Sequence, residues 1–375
     1  MIKWIFFACV LIGITTFGVL RFGSINETNE TVLMEGEDST DNERELKNKG
    51  EPPSLAPERT PISELQSRSV FVPYWADMSS RSDDVYDRYI YFGITVDENG
   101  VDREDTGYAQ LDRFQAFTRA DSENLLAIRM IDRERNADIL SNQESWDDIV
   151  TDVQSVVKEY GFDGVVLDLE VGLMAFGDYT ANITPFTEEL YTTMSADGTY
   201  VAFSLYGDVF FRKRPYDIEQ LNPYVDEFMI MAYDFSKSFG NPGPNFPFED
   251  VQNEYRYDFQ QMINDYLTFV EPERLSVIFG MYGYHWVVDD QGRALKQAEA
   301  ISLHEIKQQY ITSCPVEECV RKQEEYSQES VITFEDDEGY KNIIWHENEA
   351  SSQAKTDYLL EQGIGDIVYW AWGYY

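Results

Sequence analysis

Eight short, β-prone apolar runs recur through residues 69–375, several of them separated by stretches with helical periodicity. The runs are Ser69–Tyr74, Tyr89–Val96, Leu125–Ile131, Gly164–Glu170, Tyr200–Tyr206, Glu227–Asp234, Leu275–Tyr282 and Asp366–Trp372. Trp146 to Tyr160 places Ile149, Val153, Val156 and Val157 at helical spacing and meets a stop at Gly161. Tyr255 to Phe269 is a second pattern of this kind. Strands alternating with helices predict an α/β fold, a (β/α)8 TIM barrel. An open doubly wound sheet is the runner-up, but it would want a Gly-rich phosphate turn, and neither G-x-G-x-x-G nor a P-loop occurs. Residues 287–345 read as a small α+β insertion between the seventh and eighth strands.

Residues 4–20, WIFFACVLIGITTFGVL, follow Lys3 and precede Arg21. The run is slightly short for a relaxed bilayer span and slightly long for a signal-peptide core, and no convincing cleavage site follows it. Residues 1–21 are therefore expected to be an uncleaved signal-anchor, with a cleaved signal peptide second and a buried helix third. The first two readings both place the remainder outside the membrane, either anchored at the cell surface or secreted. Residues 22–68 have the composition of a disordered linker, with acids, Asn, Ser and Pro, and no aromatic residue after Phe22. Such a segment buries too little apolar area to offset its ordering entropy.

The formal net charge is −40, and residues 69–375 carry 58 acids against 22 bases, so the acidity belongs to the folded part. A surface of this sign repels phosphate backbones, which excludes nucleic acid as a general partner and disfavours heavily anionic polymers at low salt. Neutral glycans are favoured on this ground. Three cysteines and three histidines do not make a disulfide scaffold or a transition-metal site. Cys314 and Cys319 bracket a short loop and could pair in an oxidising compartment.

Parallel barrels carry their chemistry where strands end. The ends here are rich in aromatics and carboxylates: Pro73-Tyr74-Trp75, Leu167-Asp168-Leu169-Glu170, Met231-Ala232-Tyr233-Asp234, Tyr282-Gly283-Tyr284-His285-Trp286 and Tyr369-Trp370-Ala371-Trp372. Aromatic faces stack on sugar C–H surfaces, and acids bond hydroxyls or protonate glycosidic oxygens. On the fourth run, alternation sets Val166, Asp168 and Glu170 on one face and Val165, Leu167 and Leu169 on the other. The second set is wholly apolar, so the first faces the lumen. Two confined carboxyls are costly unless they are paired or share a proton, and sharing keeps one protonated near neutral pH. The bland alternative is a pair that caps the strand and bonds loop amides.

Asp163-Gly-Val-Val-Leu-Asp168-Leu-Glu170 resembles the D-G-x-D-x-D-x-E signature of glycoside hydrolase family 18, the chitinase family, and Met231-Ala232-Tyr233-Asp234 resembles its sixth-strand M-x-Y-D. Trp370 falls where the family has its eighth-strand tryptophan. From Tyr282 onward, YGYHW, Ala300-Ile301-Ser302, Phe334 to Gly339, Trp345-His346-Glu347, Ser351 and Lys355 resemble the spore-germination, cortical-lysin-like branch. The resemblance implies that Glu170 protonates the leaving oxygen and then activates water. Asp168 would hold the 2-acetamido N–H and steady an oxazolinium intermediate, and Tyr233 would bond the acetamido oxygen. Asp234 would line the same subsite and Trp370 would lie under the ring. Tyr74 and Tyr282 are further candidates for sugar contacts, or else core aromatics. The substrate supplies the nucleophile, so configuration is retained with no metal or organic cofactor.

The chain departs from that family at two places. Val166 stands where chitinases have an Asp that bonds the next acid. The third run lacks the usual S-x-G-G and carries Arg129, which inside a barrel needs an acid partner, either structural or on a substrate. The expectation is an exported, monomeric β-glycosidase acting on N-acetylglucosamine-containing glycans of chitin or peptidoglycan type. The alternatives are a catalytically weak or inactive lectin-like member and a wall protein acting through protein contacts.

Overall fold

The computed structural model describes residues 59–79, 85–172 and 177–375. Eight parallel strands close into a barrel: Ser67–Pro73, Arg88–Ile94, Glu123–Met130, Gly164–Leu169, Tyr200–Tyr206, Glu227–Ala232, Leu275–Gly280 and Asp366–Trp370. Each pairs with its neighbours in chain order, and the eighth returns to the first. The fold is the (β/α)8 barrel.

Alternation explains why these runs look continuously apolar. Phe71, Ile90, Leu125, Ala127, Val166, Ala202, Met229, Ile278 and Val368 fill the lumen. Their chain neighbours, such as Val70, Leu126, Val165, Val201 and Val277, pack beneath the helices. Strands buried on both faces need no polar side. Each fully buried Val, Leu, Ile or Phe contributes about 1.5–3 kcal/mol.

The helix Trp146–Tyr160 has the expected bounds, and Gly161 ends it at φ 68°, a left-handed conformation that glycine adopts without a Cβ clash. The second expected helix is shorter, Phe259–Tyr266. Asp258 caps its start through the Gln261 amide. Before it, the Asp250 carboxylate gathers the amides of Glu254, Tyr255 and Arg256, which holds those residues in a loop.

The seventh barrel strand stops at Gly280. Tyr282–Val288, expected to extend it, opens a separate antiparallel sheet with Glu299–Ser302, Lys341–His346, Ser330–Glu335 and Val320–Gln323. This second sheet therefore begins five residues earlier than sequence composition suggested. Its outermost strand, Val320–Gln323, directly follows the Cys314–Cys319 disulfide. The first strand is also joined sooner than expected. Ile62 and Gln66 donate backbone bonds to Leu360 and Gly365, and Arg59 bonds Asn264 and Gln362, so part of the anticipated linker belongs to the fold.

A polar cluster closes the barrel at the strand N-termini. Arg88 pairs with Glu227 at 2.6 Å and Glu123 at 3.0 Å, and Tyr200 donates to Glu227 at 2.9 Å. Burial, with Glu227 nearby, pushes the Asp366 carboxyl up to about 6. Among the described residues no helix is long and apolar enough to cross a membrane. The expected signal-anchor, residues 1–21, lies outside them.

Candidate active site

At the opposite end, the fourth strand delivers its two acids as alternation requires. Val166 is a lumen residue, and Asp168 is 5% exposed. Glu170 follows the last strand residue and is partly buried. Backbone bonds fix this end: Glu170 N–H donates to Met130 O at 2.7 Å, and the Asn136 amide bridges Met130 O and Glu170 O at 2.6 and 2.8 Å. On the other side Tyr216 donates to Leu169 O and accepts from Val171 N–H, both at 2.8 Å.

Burial and then the charge of Glu170 push the Asp168 carboxyl well up, against the opposing pull of the Ser204 hydroxyl and Arg129. Burial also pushes Glu170 up, against the pull of Tyr206 and Lys237. Two neighbouring carboxyls that both resist ionisation favour retention of a proton at the site.

Tyr206, on the fifth strand, donates to Glu170 Oε2 at 2.5 Å. Its ring lies 3.6 Å from the Arg214 guanidinium, which is ion-paired with Asp208. Tyr206 is not among the residues that sequence motifs single out, because it belongs to neither the fourth-run nor the sixth-run signature. The signal was there, since alternation from Ala202 sends Ser204 and Tyr206 inward.

Tyr233 sits immediately beyond the sixth strand. Burial, with Asp168 and Glu170 nearby, raises its hydroxyl far above the usual range, so it stays a neutral donor. Asp234 takes the left-handed region at φ 59°. Its N–H donates to Asn245 Oδ1 at 2.8 Å, and its carboxylate accepts from Tyr284 at 2.7 Å and from Tyr282. Lys237 Nζ lies 3.7 Å from the other oxygen. Tyr282 is buried, and its hydroxyl donates to the Asp234 carboxylate.

Asn245 is itself held from below. Its amide donates to Gly280 O, and the N–H groups of Asn245 and Phe246 donate to Glu329 at 2.6 and 2.7 Å. Glu329 pairs with Lys355 at 3.2 Å, and Lys355 also pairs with Glu347; all three are fully buried. The helix Glu349–Glu361, capped by Asn348, carries Lys355 inward. Sequence motifs marked Glu347 and Lys355 but gave no sign that they brace the loop behind Asp234.

Trp370 faces the lumen, 4.8 Å from the Phe92 ring, 5.5 Å from Phe71 and 6.4 Å from Trp75. Tyr74 is differently placed: its ring face is covered by the Arg129 guanidinium at 4.9 Å, and Trp75 is the first-strand aromatic that meets Trp370. His285 bonds Asn342 inside the second sheet. A cavity of about 570 Å³ lies on that sheet, lined by Val288, Phe334 and Glu335, and includes none of the acids at the barrel mouth.

A parallel barrel presenting two neighbouring carboxyls, a neutral tyrosine and an indole at its C-terminal mouth has the parts of a glycosidase. The model for glycosyl hydrolases family 18 matches residues 76–374, and the chain belongs to that family. The cortical fragment-lytic enzyme of Bacillus anthracis is 22% identical over 297 residues, covering 76% of this chain and 64% of the relative. The chain spans 52–64% of the length of the curated relatives it matches. Among solved structures, a class V chitinase from Nicotiana tobaccum (an E115Q mutant in complex with NAG4) superposes with a TM-score of 0.71. It is 13% identical, covering 81% of this chain and 93% of that one. Human YKL-39, a pseudo-chitinase with retained chitooligosaccharide binding properties, gives 0.70 at 12% identity, covering 81% and 92%.

Proposed function

We propose that this protein hydrolyses β-linked N-acetylglucosamine-containing glycans outside the membrane, with retention of configuration. The observation that carries this reading is the Asp168–Glu170 pair beside Tyr233, with Trp370 lining the same lumen. Glu170, its Oε2 accepting from Tyr206, carries the proton on its free oxygen and gives it to the departing glycosidic oxygen. The acetamido carbonyl attacks the anomeric carbon, with Tyr233 donating to that carbonyl. Asp168 takes up the acetamido N–H and offsets the positive charge of the cyclic intermediate. Glu170, now ionised, activates the water that opens it. The substrate's own nucleophile replaces a second enzyme carboxylate at attacking distance.

Val166 removes the acid that would bond Asp168 from below. Ser204 stands beside Asp168 and exerts part of the same pull. Export is supported by the N-terminal apolar run and by the Cys314–Cys319 bond. Incubation with an N-acetylglucosamine hexamer and a peptidoglycan-type glycan, read by mass spectrometry, tests the reading. Shortened products from the wild type and none from Glu170→Gln are expected. Val166 favours one second reading, a glycan-binding protein without turnover. Equal, near-zero hydrolysis by both proteins together with saturable oligomer binding would establish it.

A further inference from the structure

Arg129 lies on the third strand in phase with the lumen residues Leu125 and Ala127, and its Cα is the register partner of Asp168. Its side chain is 10% exposed. The guanidinium lies over the ring faces of Tyr74 at 4.9 Å and Phe92 at 5.2 Å, and Phe92 in turn abuts Trp370. Among the described residues, Nε and Nη1 are buried without a hydrogen-bond acceptor. The nearest ion-pair partner, Asp105, stays 3.8 Å from Nη1 and spends the same oxygen on the Gly107 amide at 2.6 Å. Buried guanidinium groups in folded proteins ordinarily have their N–H edges paired.

We infer that Arg129 reads a carboxylate carried by the glycan, seating it beside the sugar that lies over Trp370. The inference rests on the glycosidase reading and deepens it by naming the substrate class. A planar guanidinium packed on aromatic rings is left with its N–H edges, and Nε and Nη1 each form with Nη2 a fork that a carboxylate can take with two parallel bonds. One negative charge balances one guanidinium. A phosphate's second charge would face Asp168, Glu170 and Asp105. The net charge of the chain works in the other direction, but only at range. It slows encounter with an acidic polymer at low salt and is screened within about 8–10 Å, whereas a buried contact is not.

Two sources would supply this group: an acid linked by an ether to an N-acetylhexosamine, as in muramic acid, or a uronic acid alternating with N-acetylglucosamine. The test compares kcat/KM for three oligomers of equal length: neutral N-acetylglucosamine, the muramic-type alternating oligomer and its uronic-acid counterpart. The muramic-type oligomer is also assayed with its carboxyl converted to an amide. One acidic oligomer is expected to exceed the neutral one by about 10⁴-fold, the discrimination typical of a site built to pair a polar group. Which acidic oligomer does so identifies the source. In Arg129→Gln both rates fall and their ratio collapses toward one; Arg129→Lys, with charge but no fork, restores part of it. A wild type that prefers the neutral or amidated oligomer, or an Arg129→Gln variant that loses rate with the ratio intact, overturns the inference. Calorimetric binding to Glu170→Gln separates the two claims. Carboxylate-dependent binding that needs Arg129, in a protein whose wild type cleaves nothing, leaves the inference standing and removes the glycosidase reading.

Discussion

Two pairs of buried carboxyls sit on either side of the Tyr233–Asp234 segment, and they are treated in opposite ways. Glu329 and Glu347 enclose the Lys355 ammonium. Glu329 also accepts two backbone N–H groups, yet burial still pushes it up to about 7. Burial alone would strip the proton from Lys355, but Glu347 and Glu329 outweigh it and hold the ammonium charged. Among the described residues, no ammonium lies between Asp168 and Glu170. Their direct donors are hydroxyls, and the nearby cations act at longer range. An ammonium locked between acids fixes charge and builds a brace. Acids left to share a proton keep one available for transfer. Burial is common to both pairs; the identity of the third group separates scaffold from chemistry.

The comparison breaks most sharply under substitution. Glu170→Gln should lower kcat/KM on a cleavable oligomer by about 10³-fold, within the range for loss of a general acid. Its urea midpoint should stay at or above the wild-type value, because a buried carboxyl that resists ionisation is replaced by a neutral side chain of the same shape. Lys355→Met should do the reverse to the fold. Removing the ammonium leaves two buried carboxylates unpaired and should cost about 3–5 kcal/mol in urea denaturation. Any surviving folded protein should show a raised KM, since Asn245 and Asp234 lose their brace.

Tyr206→Phe sharpens the account of the mouth. The lost hydrogen bond favoured ionised Glu170, so its removal raises the Glu170 pKa. The alkaline limb of kcat/KM should therefore move to higher pH, with a fall in kcat of about tenfold or less from the loosened acid. The smallest effect belongs to the barrel floor. Asp366 is raised to about 6 in the fold, against an ordinary 3.8 in the open chain. Between those values the folded state binds more protons, so stability falls as pH rises from about 4 through about 6. Partial solvent screening holds this to about 1–2 kcal/mol. Asp366→Asn should flatten that slope in thermal melts at pH 4, 5, 6 and 7.

What sequence disclosed follows the same division. Period-two alternation on doubly buried strands and the Gly161 stop are local signals, and they placed the barrel, the helix Trp146–Tyr160 and the inward face of Asp168 and Glu170. Tyr282 illustrates the limit. Its run of aromatics reads as a strand in either sheet, and only pairing with Lys341–His346 decides which. The Asp250 loop was hidden because one carboxylate capturing three amides overrides helical periodicity. Glu329 and Lys355 are 26 residues apart, and nothing local joins them to Asn245, a further 84 residues away from Glu329. Inside a barrel Arg129 calls for an acid partner; among the described residues the fold supplies the ring faces of Tyr74 and Phe92 and leaves Nε and Nη1 without an acceptor.

The most direct test of the shared-proton pair is proton NMR of the first sugar released from a cleavable N-acetylglucosamine-containing oligomer. Substrate-assisted attack with Glu170 as acid gives the β-anomer first, at a rate abolished in Glu170→Gln. An α-anomer appearing first, or undiminished release by that variant, would contradict the account.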